Sequence, residues 1–547
     1  MQNKDFNIPE IPECEMTPLV KLLLAIIANQ STVISKQSEQ ISKQAEQIER
    51  AKEQIQGLRD SIAVLKGEKG KPKIAKSTLE NPDKGKGKNP NEKRPGSVKR
   101  SKTAELVFHE TICLIPEGVK EGWIFKGYND FNVQGLVIEP HNIKYRRGRW
   151  LTPEGETVIA DLPGHVSSHF DSVLISYIQH QYFGCRVTQP LLLSQLHEIG
   201  IDISSGQLND ILTENNDNFH AEKEEVLQAG LAASEFLQVD DTGGRHKGKN
   251  GFSTCIGNDL MTFFASTSSK SRINFLEILR AGHTDYVINE DAVSYMREQG
   301  IKKGILASLE NASDKLFSNK EEWQKHLLTL GIQNSRQAQI ATESALLGSA
   351  ISHGLSKDMV VLSDDAGQFN ILIHALCWIH AERLINKLIG FNDQHHADIS
   401  SVRNQIWTLY QQLKIYKTSP SEALKLEIQL KFDEIFTQKT SFQTLNLALA
   451  RLYKNKKELL RVLDYPFIPL HNNACETDVR EKVTKRKVSG GTQSELGRRA
   501  RDTFLSLKCT CRKLKVSFWT YLKDRNAAAK NIPSLASIIM ERSTKTA

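Results

Sequence analysis

FLQVDD at residues 236–241 is a short apolar run that ends on two acids, Asp240 and Asp241. Its length and its Phe, Leu and Val suit a buried strand, and GFSTCIGN at 251–258 and LMTFFAS at 260–266 repeat the pattern with turn residues around them. SRINFLEILRAG at 271–282 follows with helical spacing. Far downstream, DMVVLSDD at 358–365 is again a strand that ends on two acids. Three antiparallel strands, a helix and a further parallel strand predict an α/β domain with an RNase H-like core, in which strand ends bring carboxylates together.

A third acid extends the pattern: HNNACETDVR at 471–480 carries Glu476 within a predicted helix. Carboxylates suit Mg²⁺ or Mn²⁺, hard cations that prefer oxygen, and a few of them leave coordination positions for phosphate oxygens and water. Two such ions about 4 Å apart favour in-line phosphoryl transfer, because the attacking and leaving oxygens are both stabilised. Spacing alone does not select Asp240, Asp364 and Glu476 from 64 acidic residues, most of which must be solvated surface. Context does, since two of them end apolar strands.

The chain has 547 residues, too many for one core, and about 150 residues per domain predicts three or four. A net charge of +8 and a pI near 8.8 favour an anionic partner without naming one. The run PLVKLLLAIIANQ at 18–30 is broken by Lys21 and falls short of the roughly 20 residues that cross a bilayer, so no membrane protein is expected. The N-terminus lacks the basic start of a secretory signal, and the eight cysteines form no disulfide-like framework. Both predict a reducing, cytoplasmic setting.

Within residues 1–66, Val20, Ile27, Ile34, Ile41, Ile48, Ile55 and Ile62 fall seven residues apart, the register of a parallel coiled coil. Its d positions are polar at Gln37 and Gln44 and apolar at Ala51, Leu58 and Leu65, so the seam strengthens along its length and predicts a homo-oligomer. Residues 67–103, rich in Lys, Gly, Pro and Asn, read as a basic disordered linker that either contacts DNA phosphates or only solubilises the chain. From 104 to 164, WIFKGYNDFNVQGLVIEP and NIKYRRGRWLTPEGETVIADLP read as paired strands of a small β-rich module. Arg146, Arg147 and Arg149 are interleaved there with Tyr145 and Trp150, which suits a phosphate backbone with stacked bases or equally a solvated hairpin. Residues 165–230 are helical by pattern, and LLLSQLHEIGIDISSGQLNDILTEN at 191–215 breaks at Gly200 and restarts near Ser204 or Ser205. That is the outline of a helix-turn-helix offering Gln207 and Asn209 to a DNA groove, although generic helical hairpins share it.

Three blocks resemble the DDE transposases of the insertion sequence 66 family. VDDT at 239–242 is similar to the family's Asp-Glu-Thr segment. SDDAGQF at 363–369 with LCWIHAERL at 376–384 is similar to its second-Asp block and Cys-Trp-x-His motif, and IPLHNNACETDVREKVTKRK at 468–487 to its Asn-Asn-x-x-Glu block. LSLKCTCRKLKVSFWTYLKD at 505–524 resembles its C-terminal segment. The resemblance implies a catalytic domain at 231–525, a tail at 526–547, and Asp240, Asp364 and Glu476 as ligands of two Mg²⁺ or Mn²⁺ ions. It implies cleavage at transposon-end DNA and strand transfer into target DNA, with accessory proteins as possible partners. The alternative is a transposase-derived DNA-binding or scaffold protein that keeps the motifs without catalysis.

Carried over position by position, Asp241 stands where the family usually has Glu, and Asp365 where glycine is common, which suits a turn better than a ligand. Asn472 and Asn473 are placed to cap the helix of Glu476. Arg480, four residues on, either pairs with Glu476 or meets the transferred phosphate. Lys485, Arg486 and Lys487 are expected to follow the DNA backbone, and His380 and Arg383 to face DNA or the acids beside a packed Trp378. No zinc is expected: Cys377 and His380 lack further ligands, Cys509 and Cys511 read as core, and only Cys113 follows the coiled coil where relatives carry paired cysteines. Segments 285–357 and 397–463 read as helical insertions.

Overall fold

The computed structural model describes residues 17–44, apart from 31, 35, 38, 42 and 43, and residues 107–546, apart from 120, 122, 165, 167 and 391. Residues 1–80 and 81–547 form separate units. In the first, α1 spans Pro18–Ile41 and exposes Ile27, Ile34 and Ile41. With a mean hydropathy of 1.4 it is long and apolar enough to cross a membrane by length and composition, a difference from the sequence reading: the single Lys21 does not offset the surrounding Leu, Ile and Ala. The later heptads and the 67–103 linker lie outside the described residues.

Between 107 and 164 the regular structure among the described residues is one antiparallel hairpin, β1 (Arg149–Leu151) with β2 (Thr157–Ile159). The expected strands in 123–140 do not form, and Trp123, Phe125 and Phe131 there are exposed. An isolated strand pair with no layer to bury its apolar face gains little from pairing.

Next come α2 (Ser172–Gln179), α3 (Gln189–Glu198), α4 (Ser205–Thr213) and α5 (Asp217–Ala232). Gly200, at φ +85°, stops α3 by entering a conformation that side chains resist. Ser204 caps α4 through a reciprocal pair with Gln207, the Ser hydroxyl accepting from the Gln207 amide and the Gln207 carbonyl oxygen accepting from the Ser204 amide. Leu192, Leu196, Leu208 and Leu212 close the hairpin between α3 and α4.

The central sheet has five strands in the order β5–β4–β3–β8–β9. Here β3 is Phe236–His246, β4 Lys249–Gly257, β5 Thr262–Thr267, β8 Val360–Ser363 and β9 Ile373–Leu376. β3, β4 and β5 are antiparallel neighbours, while β8 runs parallel to β3 and β9 parallel to β8. Alternation gives the sheet two faces. Val239, Ile256 and Phe263 join the main core with α6 (Arg272–Leu279) and α10 (Ser335–Ser352). Cys255 and Phe264 instead pack on Cys475 and Val479 of α16 (Asn473–Ser489) and Leu505 and Cys509 of α17 (Glu495–Lys513).

Between β5 and β8 the chain adds β6 (Tyr286–Val287), α7 (Glu290–Glu298), α8 (Lys303–Glu310), β7 (Leu316–Phe317) and α9 (Lys320–Thr329) before α10. β6 and β7 pair antiparallel, with Tyr286 stacked on Trp323 and Phe317 meeting Trp323 edge-on. After β9 come α11 (Trp378–Asn386), α12 (Asp393–Thr418), α13 (Glu422–Thr437), α14 (Gln443–Lys454) and the short α15 (Lys456–Leu459). Residues 526–547 are more than a tail: beyond α18 (Phe518–Asn526), α19 (Leu535–Thr546) buries Leu535 and Ile539 against α5. Glu222 of α5 pins that end by accepting from Tyr521, Arg525 and the Leu535 amide.

Candidate active site

Two neighbouring parallel strands bring the first two acids together. β3 and β8 are paired from Phe236↔Val360 to Gln238↔Leu362, and the same offset, continued by two residues, sets Asp240 beside Asp364. Glu476 arrives from the other side on the first turn of α16. Asn472 fixes that turn by donating from Nδ2 to the Val239 carbonyl at 2.8 Å, and the Cys475 amide donates to Gln238 Oε1 at 3.2 Å. Both contacts fall on β3 within two residues of Asp240. Asn472 therefore does not cap α16 through its side chain as the sequence suggested; the amide is turned into the sheet instead.

Burial, then the charge of Asp364 and then that of Glu476 push the Asp240 carboxyl up to about 7, although it accepts from the Asp241 amide at 2.7 Å. Three carboxylates sharing a partly buried space repel one another until a cation or a proton joins them. The donor set is oxygen only, which is the chemistry of Mg²⁺ or Mn²⁺. Asp241 is committed elsewhere, accepting from Thr254 Oγ1 at 2.6 Å and Gln368 Nε2 at 2.7 Å. Asp365 sits at φ +77° in a turn and pairs with Arg451 at 2.8 Å.

Two arginines and a histidine surround Glu476. Arg383 approaches its carboxylate at 3.4 Å, Arg480 at 3.4 Å and His380 Nε2 at 3.7 Å. Burial holds the His380 imidazole below its ordinary value against the pull of Glu476 and Asp364. Arg480 is 70% exposed, so it can leave Glu476 for an incoming anion with little loss. A cavity of about 90 Å³ opens between Asp364 and His380, with Arg383, Lys387 and Arg451 in its wall. Beneath it Trp378 is buried and donates to the Leu459 carbonyl at 2.8 Å. Cys377 accepts from the Asn472 amide, and burial pushes its thiol up to about 11; Cys509 and Cys511 are buried.

The basic run that follows Glu476 is divided by the turn of α16. Arg486 is partly exposed and Lys487 exposed, but Lys485 is fully buried, donating to the Tyr182 carbonyl at 2.6 Å with its ammonium 3.3 Å from the Tyr182 ring centroid. Lys485 thus braces α16 against the helical region and is not placed to follow a DNA backbone. Arg146, Arg147, Arg149, Gln207 and Asn209 are exposed, with Arg147 Nε bonded to the Ala160 carbonyl and Gln207 engaged in the cap of α4. Sequence reasoning missed Gln238, a buried polar residue inside an apolar run, and took Asn472 for a cap where it is an anchor. It also missed a corner of the insertion where His283, Asp285 and His353 bring potential ligand atoms within 4.8 Å of one another, with Asp285 bonded to His353 and Ser349.

Residues 315–500 match the family described as Transposase IS66 family. An uncharacterized protein, y4jO, of Sinorhizobium fredii (strain NBRC 101917 / NGR234) is 43% identical over 302 residues, which cover 55% of this chain and 94% of that protein.

Proposed function

Because this chain belongs to the IS66 family of transposases, we propose that it is a DDE transposase that cleaves transposon ends and joins them to target DNA. The observation that carries this reading is the meeting of Asp240, Asp364 and Glu476 where the inner strands β3 and β8 lie side by side, a place in which burial first, and then the charges of Asp364 and Glu476, raise Asp240 to about 7. The strand order and the helices packed on both faces support an RNase H-like core. Asp240, Asp364 and Glu476 would hold two Mg²⁺ or Mn²⁺ ions, which when bound lower the barrier to in-line attack at a phosphodiester. The protein's own groups do the positioning. Asn472 and Gln238 hold the first turn of α16 against β3, so that Glu476 stays beside Asp240. Thr254 and Gln368 keep Asp241 from competing for the same place. Arg480 and Arg383 neutralise Glu476 between turnovers and offer guanidinium groups to the scissile phosphate.

On this reading α3 and α4, the exposed arginines near β1, and the basic linker contact DNA, and the heptads pair two or more copies at the element's ends. The described cysteines are all free thiols, as a reducing cytoplasm would leave them. The test is nicking and strand transfer on DNA carrying the element's own ends, in Mg²⁺ or Mn²⁺. Asp240→Asn, Asp364→Asn and Glu476→Gln should each abolish cleavage while sparing end binding. Strand transfer at the wild-type rate by all three variants would defeat the proposal, and end binding with no cleavage by the wild type would leave a DNA-binding scaffold.

A further inference from the structure

Beyond Asp240 the β3–β4 hairpin continues past the end of β8 and leans on α16 and α17, enclosing a cavity of about 260 Å³. Strand alternation puts Asp240, Thr242, Gly244 and His246 on the face that meets those helices, with Ser253, Gly251 and Lys249 opposite them on β4. The cavity therefore begins two residues, about 7 Å, from the first catalytic acid. His246 closes its far end, bonded to Thr492 at 2.9 Å and Glu495 at 2.8 Å.

Three features of the wall point to a ligand. Gly244 leaves it open, since a Cβ built there meets nothing within 4 Å. Two buried polar groups in the lining have no partner: Ser253 Oγ, on a residue 3% exposed, and Arg501 Nε, on a residue 8% exposed. Buried polar groups are ordinarily satisfied, so an orphaned hydroxyl and an orphaned guanidinium N–H in one cavity mark the place of a missing partner. The mouth carries Arg245, Lys247, Lys249 and Arg486, while Lys482 and Asp502 pair with each other inside the lining. A double helix is far too wide for such a slot. One nucleotide swung out of the stack is not, with a hydrogen-bonding base edge inside and a phosphate at the cationic mouth.

We propose that this cavity receives a single unpaired nucleotide of the DNA end under attack, holding the strand so that the neighbouring phosphodiester lies at the acids. The proposal rests on the transposase reading for the identity of its ligand. It is tested by fluorescence anisotropy with the full-length protein, without divalent metal, on mixed-sequence duplexes that are blunt or carry a short 3′ or 5′ single-stranded extension. One set of extensions has normal bases and another abasic sites. The wild type should bind one of the base-carrying extended duplexes about tenfold more tightly than the blunt one. Abasic extensions should lose that advantage although they keep every phosphate. Gly244→Leu, which fills the slot, should lose it too, while Gly244→Ala keeps it and Ser253→Ala reduces it. Equal affinity for extended and blunt duplexes overturns the proposal, as does an advantage that survives either Gly244→Leu or the abasic probes. Because no cleavage is required, a slot-dependent preference in a protein that never nicks DNA in Mn²⁺ would refute the catalytic reading alone. Nicking without the preference would refute the slot alone.

Discussion

Asp240 and Lys485 are both held near neutrality, one from below and one from above, and their effects on stability have opposite signs. Asp240 is raised from an ordinary 3.8 to about 7, so between those values the folded chain keeps a proton that the unfolded chain has lost. Stability contributed by the protonated form is full below about pH 4 and is lost as pH rises through 7. Asp240→Asn should therefore raise the melting temperature of the metal-free protein at pH 8 and leave it little changed at pH 4, with Mn²⁺ stabilising the wild type but not the variant. Equal melting of the two at pH 8 would show that ionising Asp240 in its buried place beside Asp364 and Glu476 costs the fold nothing. Lys485 is lowered from 10.5 to about 7, first by burial and then by Arg501, Lys508 and Arg186, so its contribution is present at high pH and lost as pH falls through 7. Lys485→Met should flatten that loss in melts at pH 6 and leave the salt dependence of DNA binding unchanged, whereas Lys487→Gln should lower the salt slope. Asp240 and Asp364 were legible because each ends an apolar run. The burial of Lys485 was not: a cation inside a basic run looks solvated until the helix that carries it is docked.

Among the elements, α16 is the one whose position matters most and whose sequence reveals least. Its inward residues include Asp478, Lys482 and Lys485, met by Arg512 and Lys513, by Asp502, and by the Tyr182 carbonyl. A helix whose buried face mixes Cys475 and Val479 with these charges shows only a thin apolar periodicity, so the sequence predicts a helix there while the family motif is what singles out Glu476. β3, β4, β5 and β8, with apolar cores and turn residues between them, were legible as strands and even in their order. The 123–140 stretch shows the reverse error, apolar and aromatic residues that suggest strands where no partner layer forms. Since α16 is tied to β3 by Asn472, removing that amide should loosen the element and with it the site. Asn472→Ala leaves the Val239 carbonyl unpaired and should cost about 1–3 kcal/mol in urea unfolding. Its loss of nicking should exceed its loss of DNA affinity. Ser494→Ala, which removes only the N-cap of α17, should cost about 1 kcal/mol and spare nicking relative to binding. If the two variants lose nicking to the same degree, Asn472 acts through general stability and not by holding Glu476.

At the scale of the whole molecule, the proposed transposase reading has one core process one end, so that joining two ends to one target requires copies held together. The only feature of the sequence that addresses this is the seven-residue recurrence of apolar residues from Val20 to Ile62, of which Ile27, Ile34 and Ile41 lie exposed along α1. Exposed isoleucines at heptad spacing are stabilised when another helix covers them, and a carboxylate at such a position is costly to bury. The same helix is apolar enough to span a bilayer, so the two uses of that surface must be separated by experiment. The double variant Ile34→Asp, Ile41→Asp should shift the full-length protein from an oligomer to a monomer in sedimentation velocity. It should keep metal-dependent nicking of a single end, because Asp240, Asp364 and Glu476 come from one chain, and lose strand transfer that needs paired ends. Unchanged sedimentation would mean that the heptads do not assemble the molecule. Loss of membrane-vesicle association without a change in mass would assign α1 to the bilayer instead.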